Sequence, residues 1–390
     1  MPTRKSISSI GRDALMIVLI TVASVELSLR IYNYLDPLPI FYSDSYNRWR
    51  GKPFAPNGSS HLNSKGFNDV EFNIKKAAGT ARILGIGDSF AFGVVPYEYN
   101  YLTLIEQNLK QSGHNVELIN MGIPSIGPKE YLSLLINEGL ALEPDRILLS
   151  FFIGNDFEES RKRKLISYSY LASLIAFVLD HRTNGQWIPG DGRYDDNAPT
   201  FTDKFYLELE VKRSAIFWLD NRAFESDCGA LVSMQQFCFA TAFSYISEIK
   251  RLCDSRNIGL TIVLIPDELQ VSKPLQAEVI AASGLAEASF DFALPNRLLH
   301  EKFDELKIDY IDLITEFSAK SLDKRLYRPN DSHWNIAGNE LAARLILQHL
   351  SAQLGSSGPP DSSIVSFPRL PLTKSPPVAA HGKPTTTPLQ

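Results

Sequence analysis

Short, continuously apolar runs recur along the chain and predict the strands of a buried sheet. They cover residues 82–87, 116–120, 146–153, 260–265 and 309–313. Such runs, bounded by glycine or polar residues, are typical of strands covered on both faces. Segments with apolar residues at helical spacing alternate with them, at residues 99–111, 129–139, 243–253 and 336–350. This alternation predicts an α/β protein with a parallel sheet and right-handed crossovers.

The most apolar segment lies near the N-terminus, at residues 14–29, and follows three basic residues, Arg4, Lys5 and Arg12. Extended to Leu35, it reaches the ~20 residues that a membrane-spanning helix needs. We therefore predict a cytoplasmic N-terminus at 1–12 and a transmembrane signal anchor at 13–35. The basic flank places the remaining chain outside the inner membrane. A cleaved signal peptide is the alternative, although the small residues offer only a weak cleavage site, and a buried core helix is the third interpretation.

Composition divides the rest of the chain into three parts. Residues 36–80 are rich in Pro, Gly, Asn and Ser, which predicts a stalk and lead-in. Residues 81–350 hold all the strand patterns and predict one domain, in which the looser pattern at 157–243 indicates an insertion or cap. Residues 351–390 are rich in Pro, Ser and Thr, and we expect them to be disordered.

Charge and cysteine content exclude several classes of protein. The net charge is −5, so nucleic acid is not an expected partner. The three cysteines, Cys228, Cys238 and Cys253, are too few for a disulfide scaffold and lack zinc-site spacing. Either Cys228 and Cys238 pair in an oxidising compartment or all three are reduced core residues.

Polar residues that suit acyl chemistry follow the predicted strands. Ser89 ends the first strand in Gly-Asp-Ser, Asn155 follows the third, and Asp331 and His333 lie just before the last helix. A serine nucleophile needs a base, a group that orients the base, and donors for the oxyanion. Because the carboxyl ends of parallel strands share one edge, we expect these residues to meet there.

Each of these residues also has a purely structural interpretation. Ser89 and Asp331 are both suited to cap a following helix, and Asn155 is a common turn residue. His333 can pack beside Trp334. The four signals are separate and fall at the same sheet edge, which favours the chemical interpretation.

Residues 82–350 resemble the SGNH/GDSL hydrolase superfamily of serine esterases and acyltransferases. The resemblance implies a three-layer α/β/α sandwich with a parallel, flavodoxin-like sheet. It implies that Ser89 is the nucleophile, His333 the general base and Asp331 the residue that orients it. Asn155 and the backbone N–H of Ser89 would be oxyanion-hole donors.

Two departures from the pattern of this superfamily bear on the choice among site residues. The glycine that usually supplies a further oxyanion donor is replaced by Ser125, and Gly122 is the alternative donor. The usual Asp-x-x-His block is shortened to Asp-x-His, so we choose Asp331 as the partner of His333 and keep Asn330 in reserve.

No cofactor or metal is expected. The Gly85-Ile86-Gly87 run lacks the third glycine of a dinucleotide loop, and Asp331 and His333 have no further ligands nearby in sequence. We therefore predict a membrane-anchored, periplasm-facing esterase or O-acyltransferase. Its expected partners are the inner membrane and an acylated carbohydrate or small ester; any partners in polysaccharide biosynthesis stay unidentified. The alternative of a different class is an inactive envelope protein that binds glycan or acts as a scaffold.

Overall fold

The computed structural model describes residues 7–35, 46–47, 50–58, 60–159, 168–183, 194–217 and 229–353. Its strands are β1 (Pro56–Asn57), β2 (Ser60–His61), β3 (Ala81–Ile86), β4 (Val116–Asn120), β5 (Arg146–Phe152), β6 (Gly259–Ile265) and β7 (Asp309–Asp312). Its α-helices are α1 (Ile7–Leu35), α2 (Ser89–Phe92), α3 (Tyr101–Gln111), α4 (Pro128–Asn137), α5 (Asp156–Glu159), α6 (Tyr170–Thr183), α7 (Asp203–Phe217), α8 (Gly229–Ser255), α9 (Glu268–Val271), α10 (Lys273–Ser283), α11 (Leu294–Leu306), α12 (Ile314–Ser321) and α13 (Ile336–Gln353). Parts of the predicted stalk and insertion, Cys228 and the tail from residue 354 lie outside the described residues.

Five strands form one sheet in the order β4-β3-β5-β6-β7, and every neighbouring pair is parallel. This is the flavodoxin-like order, in which the chain changes direction across the sheet between β3 and β5. Ligands of open α/β sheets bind beside such a switch point, at the carboxyl ends of the strands. The topology therefore places the residues that follow β3 and β5 where a site is expected.

Helices cover both faces of the sheet. On one face α3, α12 and α13 bury residues such as Leu102, Phe317 and Ile346. On the other, α4, α8 and α11 bury residues such as Leu134 and Ile246. The strands are mostly apolar because both faces of the sheet are covered, and the polar residues within them, such as Arg82 and Asn120, are buried as well. The predicted three-layer α/β fold with a parallel sheet is confirmed.

Segments before the sheet differ in how they contact it. The Gly11–Leu35 part of α1 is long and apolar enough to cross a membrane, with a mean hydropathy of 2.0. Its most apolar stretch is not buried against the rest of the protein. In the lead-in, Phe67 is fully buried, and Arg50 lies 2.7 Å from Glu138, the residue that caps the C-terminus of α4. The lead-in is therefore bound to the domain from at least residue 50.

The helices are more numerous than the sequence pattern indicates. The predicted helix at 243–253 is only the C-terminal part of α8, which begins at Gly229. Helices α7, α9, α10, α11 and α12 have no counterpart among the predicted elements. Two of them, α7 and α9, contact the polar residues at the carboxyl edge of the sheet.

Candidate active site

Ser89 is the first residue of α2, directly after β3, and it is half-buried. The N-cap is Asp88, whose Oδ1 accepts a hydrogen bond from the N–H of Phe90 at 2.9 Å. Gly87 lets the turn pack closely, since a Cβ there would lie 2.9 Å from those of Ala91 and Ser150. The alternative that Ser89 serves as a helix cap is wrong, because Asp88 fills that role.

Ser89, His333 and Asp331 form a continuous hydrogen-bonded chain. The Oγ of Ser89 lies 2.7 Å from Nε2 of His333, and Nδ1 of His333 lies 2.6 Å from Oδ1 of Asp331. An ionised carboxylate only accepts, so Nδ1 carries the proton and donates it to Asp331. Nε2 is then left with a lone pair that accepts the hydroxyl proton of Ser89. This is the arrangement that a serine nucleophile requires.

The electrostatics of the pair keep Asp331 charged and make His333 more basic. Burial disfavours the carboxylate, but the charge of His333 and hydrogen bonds from His333 and Thr200 outweigh it, so the pKa of Asp331 is about 2. Burial also lowers the pKa of His333, yet the charge and hydrogen bond of Asp331 raise it by more, to above its ordinary value of 6.5. His333 is therefore a stronger proton acceptor than a free imidazole.

Asp331 is fixed by groups that the sequence pattern did not indicate. Thr200 donates its hydroxyl to Oδ2 of Asp331 at 2.6 Å, and Nη1 of Arg328 donates to the same oxygen at 3.2 Å. Asn330, the reserve partner, faces elsewhere: its amide donates to the carbonyl of Phe201 at 3.1 Å. Asp331 is not a helix cap either, because α13 begins only at Ile336, whose N–H donates to Asp196.

The three expected oxyanion donors besides Ser89 differ in their surroundings. Asn155 follows β5, and its buried Oδ1 has no hydrogen-bond partner within the described part of the chain. Ser125 lies in the turn after β4 with a left-handed backbone, φ 55°. The alternative assignment of Gly122 as an oxyanion donor does not fit the structure, because its N–H already donates to Oδ1 of Asn120 at 2.9 Å. The donor roles of Asn155 and Ser125 stay predictions.

A buried charged cluster joins α7 to the same edge. Nη1 of Arg213 lies 2.8 Å from Glu210 and 3.3 Å from Asp267, which follows β6. Burial raises the pKa of both carboxyls. The negative charges of Asp267 and Glu268 raise the pKa of Glu210 further. Asp267 also borders the Asn155 turn, since a Cβ on Gly154 would lie 2.3 Å from its Oδ2. Asp267 shares the strand-end signal that identified Ser89, whereas Thr200 and Arg213 had no such signal.

Part of the chain matches a known family model. Residues 230–367 match a family model described as "SGNH hydrolase-like domain, acetyltransferase AlgX", a range that includes Asp331 and His333 but not Ser89. No curated protein matches the chain in sequence. Across the described residues, no cluster of three or more His, Cys, Asp or Glu side chains is placed to hold a metal ion.

Several solved structures are similar to this chain. An acetyl xylan esterase, AlAXEase, is 17% identical, with 70% of this chain and 98% of that chain covered and a TM-score of 0.37. A catalytic mutant of Axe2, an acetylxylan esterase from Geobacillus stearothermophilus, is 11% identical over 69% and 94% of the two chains, with a TM-score of 0.38. TesA is 8% identical over 70% and 98%, with a TM-score of 0.39. Over residues 230–367 the chain is similar to an SGNH hydrolase-like acetyltransferase domain, which bears out the resemblance drawn from its sequence and the expected class, ester hydrolase or acyltransferase.

Proposed function

We propose that this protein is a serine esterase that removes an O-acyl group through an acyl-enzyme on Ser89. The observation that carries the proposal is the chain from Ser89 Oγ through His333 to Asp331, with distances of 2.7 and 2.6 Å. His333 takes the hydroxyl proton while Ser89 Oγ bonds to the ester carbonyl carbon. The tetrahedral intermediate then collapses, the alkoxide leaves with the proton from His333, and the acyl group stays on Ser89.

The acceptor in the second half-reaction decides between hydrolysis and transfer. Water, deprotonated by His333, releases the acid and regenerates Ser89; a sugar hydroxyl in the same position receives the acyl group instead. We propose an acetyl group on an envelope carbohydrate as the substrate. The acetyltransferase description of the matched family supports the acetyl group and favours O-acetyl transfer as the second candidate. The apolar α1 supports an anchor in the inner membrane with the domain on the periplasmic side.

The test uses the full chain in detergent with a chromogenic acetyl ester. Wild type is compared with Ser89→Ala and His333→Ala, and Ser112→Ala is the matched control because Ser112 is exposed at the end of α3. Loss of a triad member should lower kcat by about 10⁴-fold or more. We expect the control to match wild type and mass spectrometry to find an acetyl adduct on Ser89. Equal background turnover in all four proteins, with no adduct, would favour the inactive scaffold; added glycans that accept the label would establish transfer.

A further inference from the structure

Helix α6 begins against the apolar helix α1, on the carboxylate of Glu26. The backbone N–H groups of Tyr170 and Leu171 donate to that carboxylate at 3.0 and 2.9 Å, and the hydroxyl of Ser169 donates at 3.0 Å. Arg30 also bonds to Glu26, at 2.7 Å. The first turn of α6 therefore satisfies the acidic side chain that interrupts the apolar surface of α1, a group that would otherwise be costly in lipid.

Further contacts hold the start of α6 against α1. Arg30 donates to the carbonyl of Tyr168 at 2.7 Å, and its guanidinium lies 4.5 Å from the ring centre of Tyr170. Tyr168 thus lies beside Arg30, whereas Leu171 lies one turn of α1 earlier, beside Glu26. The residues at the start of α6 are therefore held against the Glu26–Arg30 turn of α1.

The surface of α6 is apolar where it is exposed. Residues 170–179 contain no charged side chain. Ile175 is 50% exposed and Leu179 is 57% exposed. A helix that is apolar all round belongs in a protein core or in lipid. In the sequence, four consecutive basic residues at 161–164 precede this segment, which suits the anionic headgroups of a membrane.

We propose that α6 is a second membrane-contacting helix, which lies in the interfacial layer of the bilayer that α1 spans. With 14 residues, α6 is too short to cross the hydrocarbon, which needs about 20. Its exposed Ile175, Val178 and Leu179 contact acyl chains, and Glu26 ties its first turn to α1. The continuity with the exposed apolar surface of α1 identifies lipid, rather than a second protein, as the occupant.

The experiment places a photoactivatable diazirine side chain at single positions of the full-length protein in vesicles of phosphatidylethanolamine and phosphatidylglycerol. The test positions are Ile175 and Leu179; Leu19 of α1 is the positive control, and Leu322, which is 77% exposed beside α12, is the matched negative control. We expect lipid adducts at both test positions close to the yield at Leu19 and about tenfold above that at Leu322. Yields as low as at Leu322, adducts to a second copy of the chain, or no lipid adduct at Leu19 would each overturn the proposal.

A substitution tests the role of Glu26 separately. In the variant Glu26→Leu, the first turn of α6 loses its acceptor, so the yield at Leu179 should fall severalfold while the yield at Leu19 is unchanged. An unchanged yield at Leu179 would show that Glu26 does not hold α6 in place.

Discussion

Thr200 donates its hydroxyl to Asp331 at 2.6 Å, across 131 positions of the chain. The contact joins the segment before α7 to the loop that holds His333. Thr200 belongs to the range 157–243, for which the sequence predicts an insertion or cap. This part of the range supports the carboxylate that orients the base. Thr200 is thus a positioning residue, acting on Ser89 through Asp331 and His333.

Thr200→Val should lower kcat/KM about tenfold, since a hydrogen bond to a charged group contributes on the order of 1.5–3 kcal/mol. Thr200→Ser keeps the donor and should remain close to wild type. Asp331 has a pKa of about 2 and stays ionised at neutral pH without this bond, so the midpoint of the acid limb of Thr200→Val should stay close to that of wild type while kcat/KM falls. A general packing defect would instead lower activity in both variants alike.

The pH dependence of kcat/KM should report the raised pKa of His333. Protonated His333 cannot accept the proton of Ser89, so activity should fall on acidification with a midpoint above pH 6.5. Stability has the opposite sign: the His333–Asp331 pair stabilises the fold fully below pH 6.5, and this contribution is lost as pH rises through the folded pKa of His333. On the acid side, the contribution of Asp331 is lost as pH falls from 3.8 toward about 2. A midpoint below 6.5 would contradict the assigned pair.

Asp331→Asn should lower kcat by about 10⁴-fold, because an amide no longer holds the imidazole with Nδ1 protonated. The midpoint of the acid limb should also shift downward, since the carboxylate charge that raises the pKa of His333 is gone. Asn330→Ala is the control, because the amide of Asn330 contacts Phe201 and Asp203 instead. Equal losses in the two variants would mean that Asp331 is not the orienting group.

Asn155→Ala tests the predicted oxyanion donor. If the amide stabilises the tetrahedral intermediate, kcat should fall about 10²–10³-fold while KM changes little. Asn137→Ala is the matched control, since Asn137 is exposed at the end of α4 and donates only to Ser133. A loss confined to KM would assign Asn155 to substrate binding instead.

Arg213→Met should destabilise the fold by about 3–5 kcal/mol, because it leaves two buried carboxyls beside each other without their cation. Urea unfolding followed by circular dichroism measures this. The pKa of Glu210 and that of Asp267 are raised, so both carboxyls take up protons on acidification and the difference from wild type should shrink at low pH. A constant difference across pH would indicate lost packing alone.

The strands could be predicted because burial on both faces of the sheet leaves mostly apolar runs in the sequence. The pattern located β4 to the residue and β5 within one residue of its end. The residues at the edge of the sheet could be predicted for a related reason. The carboxyl ends of parallel strands lie at one edge of the sheet, whatever the positions of the helices.

Helix α7 could not be predicted, because the face that it buries mixes Tyr206 with polar residues. Glu210 and Ser214 are buried there, so the segment lacks a hydrophobic period. The role of Thr200 could not be predicted either, because a single threonine in a turn-rich stretch belongs to no periodic pattern or motif. The sequence already favours Ser125 over Gly122, and the structure adds the reason that the N–H of Gly122 is bound to Asn120.

The distance in sequence between Ser89 and His333, 244 residues, has a consequence for the order in which the protein matures. A chain is made from its N-terminus, so β3 and Ser89 are synthesised long before the loop that supplies the base. Contacts of such high sequence separation also close late in folding. Until that final loop docks, the serine remains an ordinary, unreactive hydroxyl, and any chain shortened before residue 333 keeps it so. Reactivity therefore arises only in a chain that has been completed through the start of α13.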